Sequence, residues 1–307
     1  MSTEVPRVTV GIPVYNGGLS IRATIESVLA QTYDSFEVLV VDNASTDDTE
    51  EVCRELAARD DRVRYVRNTE NIGQNNNFTR VYQLGTGDFF RWMGDDDSLE
   101  PGYLTACVEA LDSDPTASLV STYQSHIKPD GTEIYEEYTG PRPDSTDPVN
   151  RLHALLKLMN GSRYWIDPVY TLARRAAMPS DTPIRTLRFG DQILAAELAL
   201  AGPYLHVPVL LAHRSWAPLP QGRRATAQYA GGGEQGIRPL VVSSSQRLLM
   251  LNVLIGDVWA SSQLSIGGKL RGTWVVLLYG LRTAVLRVTR FVTKRVRLAR
   301  GHEGSVD

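Results

Sequence analysis

The sequence of 307 residues has only two cysteines, Cys53 and Cys107, which excludes the disulfide framework of a small secreted domain. It also lacks an apolar run of about 18 residues, the length that a transmembrane helix needs. Internal repeats, low-complexity segments and the pattern of a signal peptide are missing as well. We therefore expect a globular protein that is cytoplasmic or lies peripherally on the inner face of the cell membrane.

Charge is divided unevenly along the chain, although the net charge at neutral pH is only −3. Residues 1–200 contain 31 Asp or Glu and 18 Lys or Arg, whereas residues 201–307 contain 4 and 14. The acidic front part argues against a nucleic-acid-binding protein built around one basic face. The basic C-terminal part favours contact with an anionic partner, such as a membrane surface.

Strand and helix patterns alternate in the first third of the sequence. Continuous apolar and β-branched runs predict strands, and apolar residues three and four positions apart predict the helices between them. The predicted strands are Arg7–Ile12, Phe36–Val41, Arg62–Val66 and Asp88–Met93, and helices begin near Ser20, Ser45 and Pro101. This order predicts an α/β fold with a doubly wound, mostly parallel sheet and helices on both faces.

Polar clusters follow three of these predicted strands. They are Pro13–Gly18, Asp42–Asp47 and Asp95–Asp97. In a doubly wound sheet, ligands bind beyond the carboxyl ends of the strands, so we expect the three clusters to meet in one crevice.

The rest of the chain is less regular. Residues 126–131 predict a hairpin turn, 149–159 and 192–201 predict helices, 207–212 a strand, and the glycine-rich stretch 221–236 a flexible loop. We divide the chain into an N-terminal α/β part (1–112), a less regular middle part (113–220) and a C-terminal region of loop and basic helix (221–307).

The acidic turn Asp95–Asp97 is the sharpest chemical feature of the sequence. Like charges so close together repel one another, and a cation beside them relieves that repulsion. Mg²⁺ or Mn²⁺ held by one or two carboxylates, with phosphate oxygens completing its shell, suits such a turn. The alternative is a solvated turn without a metal. The position of the acidic turn, after an apolar strand and before a helix, favours the metal site.

Four segments, in this order and spacing, resemble the motifs of family 2 glycosyltransferases of the GT-A fold. They are Val10–Asn16, Val41–Asp47, Asn71–Gly73, and Gly87–Asp88 leading into the acidic turn. The resemblance is specific over about the first 110 residues and fainter to about residue 215. It implies an enzyme that moves a sugar from a nucleoside-diphosphate donor to a hydroxyl acceptor: a polysaccharide, a lipid-linked glycan or a small molecule. By the same resemblance, residues 1–112 are the nucleotide-sugar-binding half and residues 113–220 the acceptor-binding half with the catalytic base.

By this resemblance, Pro13 and Tyr15 line the pocket for the nucleotide base, and Asp42 accepts a hydrogen bond from the base. A carboxylate that faces a ring N–H makes a charge-assisted hydrogen bond. The alternatives are that Asp42 caps the helix near Ser45 and that Tyr15 only packs. The other nucleotide-sugar-binding residues that the resemblance implies are Asn16, Asn71, Gly73, Asp95 and Asp96.

The same resemblance implies a metal site and a catalytic base. The expected ligands of Mn²⁺ or Mg²⁺ are Asp95, Asp97 and His213, and a structural role is the alternative for the histidine. Asp191, before a predicted helix, resembles the carboxylate that takes the proton of the acceptor hydroxyl in inverting relatives. An ordinary helix N-cap is the alternative for Asp191. Arg80, or Arg223 and Arg224, are candidates for contacts with the diphosphate.

The C-terminal segment 269–300 contains nine Lys or Arg and no acidic residue. Most of its basic residues fall on one side of a helix and most of its apolar residues on the other, the pattern of a helix that lies on an anionic bilayer. A solvated helix packed on the domain is the alternative.

Three other functions are weighed against the glycosyltransferase. A nucleotidyltransferase would want a basic, glycine-rich phosphate loop after the first strand, and Pro13–Gly18 carries no basic residue. A Rossmann dehydrogenase would want a Gly-x-Gly-x-x-Gly motif at the same place. A non-catalytic nucleotide-sugar-binding or membrane scaffold protein is disfavoured by the presence of Asp97 and Asp191, and only an assay separates it.

Overall fold

The fold was determined as a computed structural model, which describes residues 5–128, 130–135, 137, 140–161, 168–179, 184, 189–215 and 239–301. The predicted loop 221–236, with Arg223 and Arg224, lies outside the described residues.

Four parallel strands form the N-terminal half of the sheet. They are β1 (Val8–Val14), β2 (Phe36–Asp42), β3 (Val63–Arg67) and β4 (Phe89–Trp92), and they pair in the order β3-β2-β1-β4. Every residue of β1 and β2 is buried, because helices cover both faces of these central strands. The four strands predicted from the sequence are confirmed.

Four helices connect and cover these strands. They are α1 (Ile21–Leu29), α2 (Thr49–Arg59), α3 (Gln74–Leu84) and α4 (Tyr103–Ser113). Alternate residues of β2 belong to two separate cores, with Val38 in the core under α1, α2 and α4 and Leu39 in the core under α3. The period of two along the strand thus divides the apolar side chains between the two faces of the sheet.

The second half of the chain extends the sheet with strands of mixed direction. They are β5 (Ser98–Leu99), β6 (Leu119–Ile127), β7 (Glu133–Tyr135), β8 (Leu172–Arg174) and β9 (Tyr204–Ser215). Among the described residues, nine strands form one sheet in the order β3-β2-β1-β4-β8-β6-β9-β5, and β7 pairs with β6. Strand β8 runs antiparallel to both β4 and β6, while β6 and β9 are parallel.

The predicted hairpin turn at 126–131 is confirmed, since β6 and β7 pair antiparallel on either side of it and Gly131 takes a positive φ of 78°. The α/β fold class with helices on both faces is also confirmed. The parallel pairing belongs to β1–β4 and to the β6–β9 pair, and the sheet as a whole is mixed.

Four further helices cover the face of the sheet that carries α3. They are α5 (Pro148–Gly161), α6 (Gly190–Ala201), α7 (Pro239–Ala260) and α8 (Ile266–Gly301). Helix α5 packs on α6 and α8, and α7 packs on α6 and α8. Buried residues of α7 and α8, such as Leu254 and Val276, share one core with α5 and α6. None of the helices in the described part of the chain combines the length and the apolar character that crossing a membrane requires.

Gly87 lies between α3 and β4, close to the backbone of β1, so a substitution there tests how closely the sheet is packed. A β-carbon at Gly87 would lie 2.6 Å from the backbone nitrogen of Thr9 in β1, and neither backbone can move without disturbing the β1–β4 pairing. We therefore expect Gly87→Ala to lower the free energy of unfolding by about 2 kcal/mol, measured by urea denaturation.

Gly256→Ala in α7 is the matched control. No atom lies within 4 Å of the added methyl group, and alanine favours a helix more than glycine does. The free energy of unfolding should therefore rise by about 0.5–1 kcal/mol. Equal effects of the two substitutions would contradict the packing described here.

Candidate active site

The loops after β1 and β2 are joined by reciprocal hydrogen bonds. The backbone N–H of Asn16 donates to Ser45 Oγ at 2.9 Å, and Asn16 Oδ1 accepts from the backbone N–H of Thr46 at 2.8 Å. Asn16 takes a left-handed backbone conformation, with φ at 58°. Asparagine tolerates this region better than most residues, which explains the residue type at the turn.

The acidic turn after β4 is fixed to the loop after β1 through helix α1. The hydroxyl of Thr24 lies 3.0 Å from the carbonyl oxygen of Asp95 and 2.9 Å from that of Asp97. A β-carbon at Gly17 would collide with the carboxylate of Asp95, so the glycine allows the turn and the β1 loop to approach closely. The three polar clusters predicted at the strand ends therefore lie together.

Asp42, at the end of β2, is completely buried and its carboxylate is hydrogen-bonded on both oxygens. Oδ1 accepts from the backbone N–H of Ser45 at 2.8 Å, and Oδ2 accepts from the Tyr65 hydroxyl at 2.7 Å and from the guanidinium of Arg67. The Arg67 side chain is 29% exposed. Arg67 rather than Asp42 is thus the group of this cluster that solvent reaches.

Arg67 and Tyr65 were missed by the sequence reasoning, although a signal was present. They lie at the carboxyl end of β3, which is parallel to β2 and ends at the same edge of the sheet. From the sequence, only the polar residues that follow β1, β2 and β4 are assigned to the site, and those at the end of β3 are left out. The sequence contained no such signal for Thr24, because the apolar periodicity of a helix does not show which hydroxyl group contacts a turn far away in the sequence.

A network of asparagine side chains places the predicted residues Asn71 and Gly73. Asn43 Nδ2 donates to Asn71 Oδ1 at 2.8 Å, and the same oxygen accepts from the backbone N–H of Gly73 at 2.9 Å. Asn43 Oδ1 accepts in turn from Asn68 at 3.1 Å. Gly73 has φ at 85°, a conformation that favours glycine. Asn71 and Gly73 therefore lie beside the end of β2, as their assignment to one site requires.

The acidic turn concentrates negative charge. Asp97 is buried, and its carboxylate accepts from the backbone N–H groups of Gly94 at 3.1 Å and Ser215 at 3.2 Å. Burial, and after it the charge of Asp96, raises the pKa of Asp95 to about 7. Burial and the charge of Asp97 likewise raise the pKa of Asp96. The surroundings of Asp95 and Asp96 thus disfavour the ionised form of both carboxyl groups.

Arg214, at the end of β9, is the basic residue nearest to this turn in the described contacts. Its Nε lies 3.9 Å from Asp97 Oδ2, and its guanidinium carbon lies 3.6 Å from the centre of the Tyr170 ring. Stacking on an aromatic ring holds a guanidinium in a defined plane. The arginine therefore has a fixed place beside the acidic turn.

His213, predicted as a metal ligand, uses both ring nitrogens for other contacts. Nε2 lies 3.0 Å from a Glu100 oxygen, and Nδ1 lies 2.7 Å from Ser125 Oγ and 3.1 Å from a Glu133 oxygen. Its neighbour Arg214, not His213, contacts the turn. A metal-binding role would require the imidazole to leave one of these partners.

The remaining predicted residues occupy separate positions. Pro13 is buried in β1, and Tyr15 is 46% exposed at the start of the loop after β1. Asp191 is half-buried in the first turn of α6, where the helix dipole stabilises a carboxylate. Arg80 is exposed on α3. Their roles stay predictions.

The carboxylates of the acidic turn are suited to bind a divalent cation whose coordination shell is completed by atoms of a ligand. Their oxygen donors suit Mg²⁺ or Mn²⁺, and, after burial, the charge of Asp96 contributes to the raised pKa of Asp95, so negative charge is concentrated there. In the described part of the chain, no group of three or more His, Cys, Asp or Glu side chains has the geometry of a metal cage.

A sequence model of the family described as glycosyl transferase family 2 matches residues 9–166, more than half of the 307 residues. The match covers the β1 loop, the end of β2, the asparagine network and the acidic turn. The chain belongs to this family.

Among proteins with curated names, the family 2 chain is similar to chondroitin synthase of Escherichia coli, with 33% identity over 138 residues. It is also similar to hyaluronan synthase of Pasteurella multocida, with 31% identity over 138 residues. Each match covers 45% of this chain, but only 20% of the first relative and 14% of the second. The chain thus spans a small part of these relatives.

Solved structures show the same fold over a longer stretch. Residues 1–349 of S. aureus TarS in complex with UDP-GlcNAc match with a TM-score of 0.64 and 16% identity, covering 89% of this chain and 72% of that one. The Pyrobaculum calidifontis mannosyltransferase PcManGT, in complex with GDP-Man and Mn²⁺, matches with a TM-score of 0.51 and 19% identity, covering 98% and 81%. The predicted family and GT-A fold are confirmed.

Replacing Asp95 with asparagine should stabilise the metal-free protein at about pH 8. The pKa of Asp95 is about 7 in the folded protein, whereas an unfolded carboxyl titrates at about 4. The folded state therefore binds the proton more tightly, and this group lowers stability as pH rises from about 4 to about 7. The neutral amide removes that loss, so the free energy of unfolding should rise by about 1–2 kcal/mol, measured by urea denaturation with EDTA.

The difference between wild type and Asp95→Asn should shrink as the pH falls from about 7 to about 4, because the carboxyl is then neutral in both the folded and the unfolded protein. Measurements at about pH 8 and about pH 4 are therefore compared. Asp61→Asn, at an exposed position after α2, is the control and should change little at either pH. A stability gain that is the same at both pH values would contradict the repulsion described for the turn.

Proposed function

We propose that this protein is a metal-dependent, inverting glycosyltransferase that moves a sugar from a nucleoside-diphosphate donor to a hydroxyl group. The observation that carries the proposal is the junction of the acidic turn, the β1 loop and the end of β2, held by Thr24, Gly17 and Ser45. Ligands of doubly wound sheets bind at this edge. Membership of glycosyl transferase family 2 supports the same reaction class.

The nucleoside is assigned to the surface formed by Tyr15 and Arg67, with the buried Asp42 paired to Arg67. Tyr15 offers an exposed aromatic ring, and Arg67 offers a guanidinium to a carbonyl group of the base. Asp42 accepts a ring N–H of the base when the guanidinium shifts away from its carboxylate. Pro13 and Asn16 shape the loop beneath the base, and Asn71 and Gly73 border it through Asn43.

The diphosphate is assigned to the acidic turn and its basic neighbour. Asp95, Asp96 and Asp97 are the residues that would hold Mn²⁺ or Mg²⁺, and that ion would act as a Lewis acid toward the charge of the leaving diphosphate. Arg214 lies beside the same turn and donates to the diphosphate oxygens from its place on the Tyr170 ring. Both observations support a site for a strongly anionic group next to the carboxylates.

Asp191 is assigned as the base that activates the acceptor. Its carboxylate takes the proton of the acceptor hydroxyl while the oxygen of that hydroxyl bonds to the anomeric carbon. The bond from the anomeric carbon to the diphosphate breaks in the same displacement, which inverts the configuration. The nucleoside diphosphate leaves unprotonated, so one base is sufficient, in contrast to the two carboxylates of a glycosidase. The acceptor is a hydroxyl of a polysaccharide, a lipid-linked glycan or a small molecule.

A nucleoside diphosphate together with Mn²⁺ should stabilise the protein against heat. With UDP, dTDP and GDP tested in turn, we expect one class of base to raise the Tm by about 5 °C at saturation, and less without the metal. Asp97→Asn should lose the metal-dependent part of this shift. Asp96→Asn is the second variant, because Asp96 accepts from Ser215 Oγ through its backbone carbonyl at 2.7 Å and the substitution keeps that contact. Asp61→Asn is the control.

Absence of a Tm shift with every nucleotide and metal, in a protein that melts cooperatively, would contradict the assignment of the site. A shift that is independent of metal in both wild type and Asp97→Asn would contradict the metal-binding role of the turn.

Asp191→Asn should separate binding from catalysis. The amide keeps the size of the side chain but cannot take a proton, so nucleotide binding should stay within about twofold of wild type. Release of nucleoside diphosphate from the donor should fall by about 10²-fold or more, measured by coupled assay with a panel of hydroxyl acceptors. Unchanged turnover would remove Asp191 from the role of base. A wild type that binds the donor but never turns it over would favour a non-catalytic binding protein.

A further inference from the structure

Helix α8 exposes a row of large apolar side chains, which we call the outer stripe. It consists of Ile266, Leu270, Trp274, Leu277, Leu278 and Leu281, whose exposed fractions lie between 46% and 74%. Apart from the adjacent Leu277 and Leu278, successive positions are three or four residues apart, so they share one face of the helix over a length of about 23 Å. A contiguous apolar surface of this kind on a soluble domain marks a binding surface.

The opposite face of α8 is already packed on the rest of the protein. Val276 is buried, and β-carbons at Gly272 and Gly280 would lie 2.8 Å from Val258 and 2.6 Å from Leu251 of α7. The helix is therefore in close contact with α7 along two turns. Since that side already provides the core contacts, the outer stripe is a second apolar face that folding does not use.

Contacts beyond this packing fix the orientation of α8. Arg271 pairs with Asp147, before α5, at 2.7 Å. The indole N–H of Trp259 in α7 donates to Thr273 at 3.1 Å, and the Trp259 ring stays 46% exposed. Trp259 and Trp274 thus lie on neighbouring helices at the same surface. Tryptophan is the residue that favours the boundary between water and the apolar part of a bilayer.

The sequence of the segment that contains the outer stripe carries charge of one sign. From position 258 to position 302 it contains nine Lys or Arg and no Asp or Glu. Among them, Lys269, Arg271 and Arg282 lie on α8 beside the stripe; Arg282 is exposed, and Arg271 pairs with Asp147. The positions 288, 291, 292 and 296 continue the apolar spacing in the sequence. An apolar row with Trp and a basic surround is complementary to an anionic lipid surface.

We propose that the outer stripe of α8, with Trp259 beside it, is a docking surface for an anionic bilayer. The helix lies in the plane of the interface, inserts the stripe between the lipid headgroups and keeps its opposite face on α7. Basic residues at its flanks contact the headgroup phosphates. This assigns the predicted contact with a membrane to a defined face.

A second copy of the chain is the competing occupant of the stripe, because its spacing also suits a pair of helices. Pairing two copies would bring eighteen positive side chains of segments 258–302 close together without an acidic residue in either segment. Such a pair is opposed by repulsion, whereas an anionic surface is attracted to the same charges. The charge therefore favours the bilayer.

Sedimentation of the full chain with vesicles, without donor or metal, tests this proposal independently of catalysis. We expect binding to phosphatidylcholine vesicles with about a third phosphatidylglycerol, weak binding to pure phosphatidylcholine, and release at high salt. Leu278→Glu should reduce the binding roughly tenfold or more, because it places a charge in the stripe. Arg282→Gln should weaken it less and reduce its dependence on salt.

Val209→Glu is the matched control, since Val209 is 49% exposed on β9 and lies in neither the stripe nor the site. It should bind vesicles as wild type does, and all variants should melt like wild type. Failure of the wild type to bind anionic vesicles, or binding that Leu278→Glu leaves unchanged, would overturn the proposal. A dimer in light scattering that Leu278→Glu dissociates would also overturn it and assign the stripe to a second copy.

Discussion

Repulsion among three neighbouring carboxylates is the constraint around which the candidate site is built. Asp95, Asp96 and Asp97 stay together because the Thr24 hydroxyl holds the backbone of the turn and the N–H groups of Gly94 and Ser215 hold the Asp97 carboxylate. Burial and like charge raise the pKa of Asp95, so the turn stores unfavourable electrostatic energy when it is ionised. A cation or a basic side chain beside the turn lowers this energy. Neutralisation of the carboxylate charge is therefore what this part of the molecule requires of a ligand.

The part of the site around Asp42, to which we assign the nucleoside, follows the opposite rule. Asp42 is buried deeper than the turn, yet Arg67, Tyr65 and the Ser45 backbone satisfy its carboxylate. Removing one partner of a buried pair leaves an uncompensated charge, so a ligand that displaces the guanidinium must offer a replacement donor. A base with a ring N–H meets this requirement. The two groups of carboxylates at this sheet edge thus differ. The acidic turn carries excess negative charge, whereas Asp42 is neutralised by Arg67, a partner that a ligand could replace.

The C-terminal helices connect this site to a second surface. Because α7 and α8 share a core with α5 and α6, the outer stripe lies on helices that pack against α6, which carries Asp191. A protein whose substrates include a lipid-linked molecule would gain from this arrangement, since docking holds the catalytic domain close to the surface where such an acceptor lies. The two glycines of α8 that contact α7 make the close helix packing, and hence the outward direction of the stripe, possible.

The sequence by itself determined the parallel strands, the helices after β1, after β2 and after the acidic turn, the strand ends that carry polar residues and the acidic turn, because apolar periodicity and strand order fix these features locally. It also determined the apolar and basic spacing of α8, but it did not predict helix α3 between β3 and β4. Only the tertiary structure decided that Arg67 pairs with Asp42, that Thr24 holds the acidic turn, and that Arg214 rather than His213 contacts Asp97. These contacts join residues from 25 to 117 positions apart, and adjacent residues of a strand point to opposite faces, so the register of β9 and the packing of α1 choose between them.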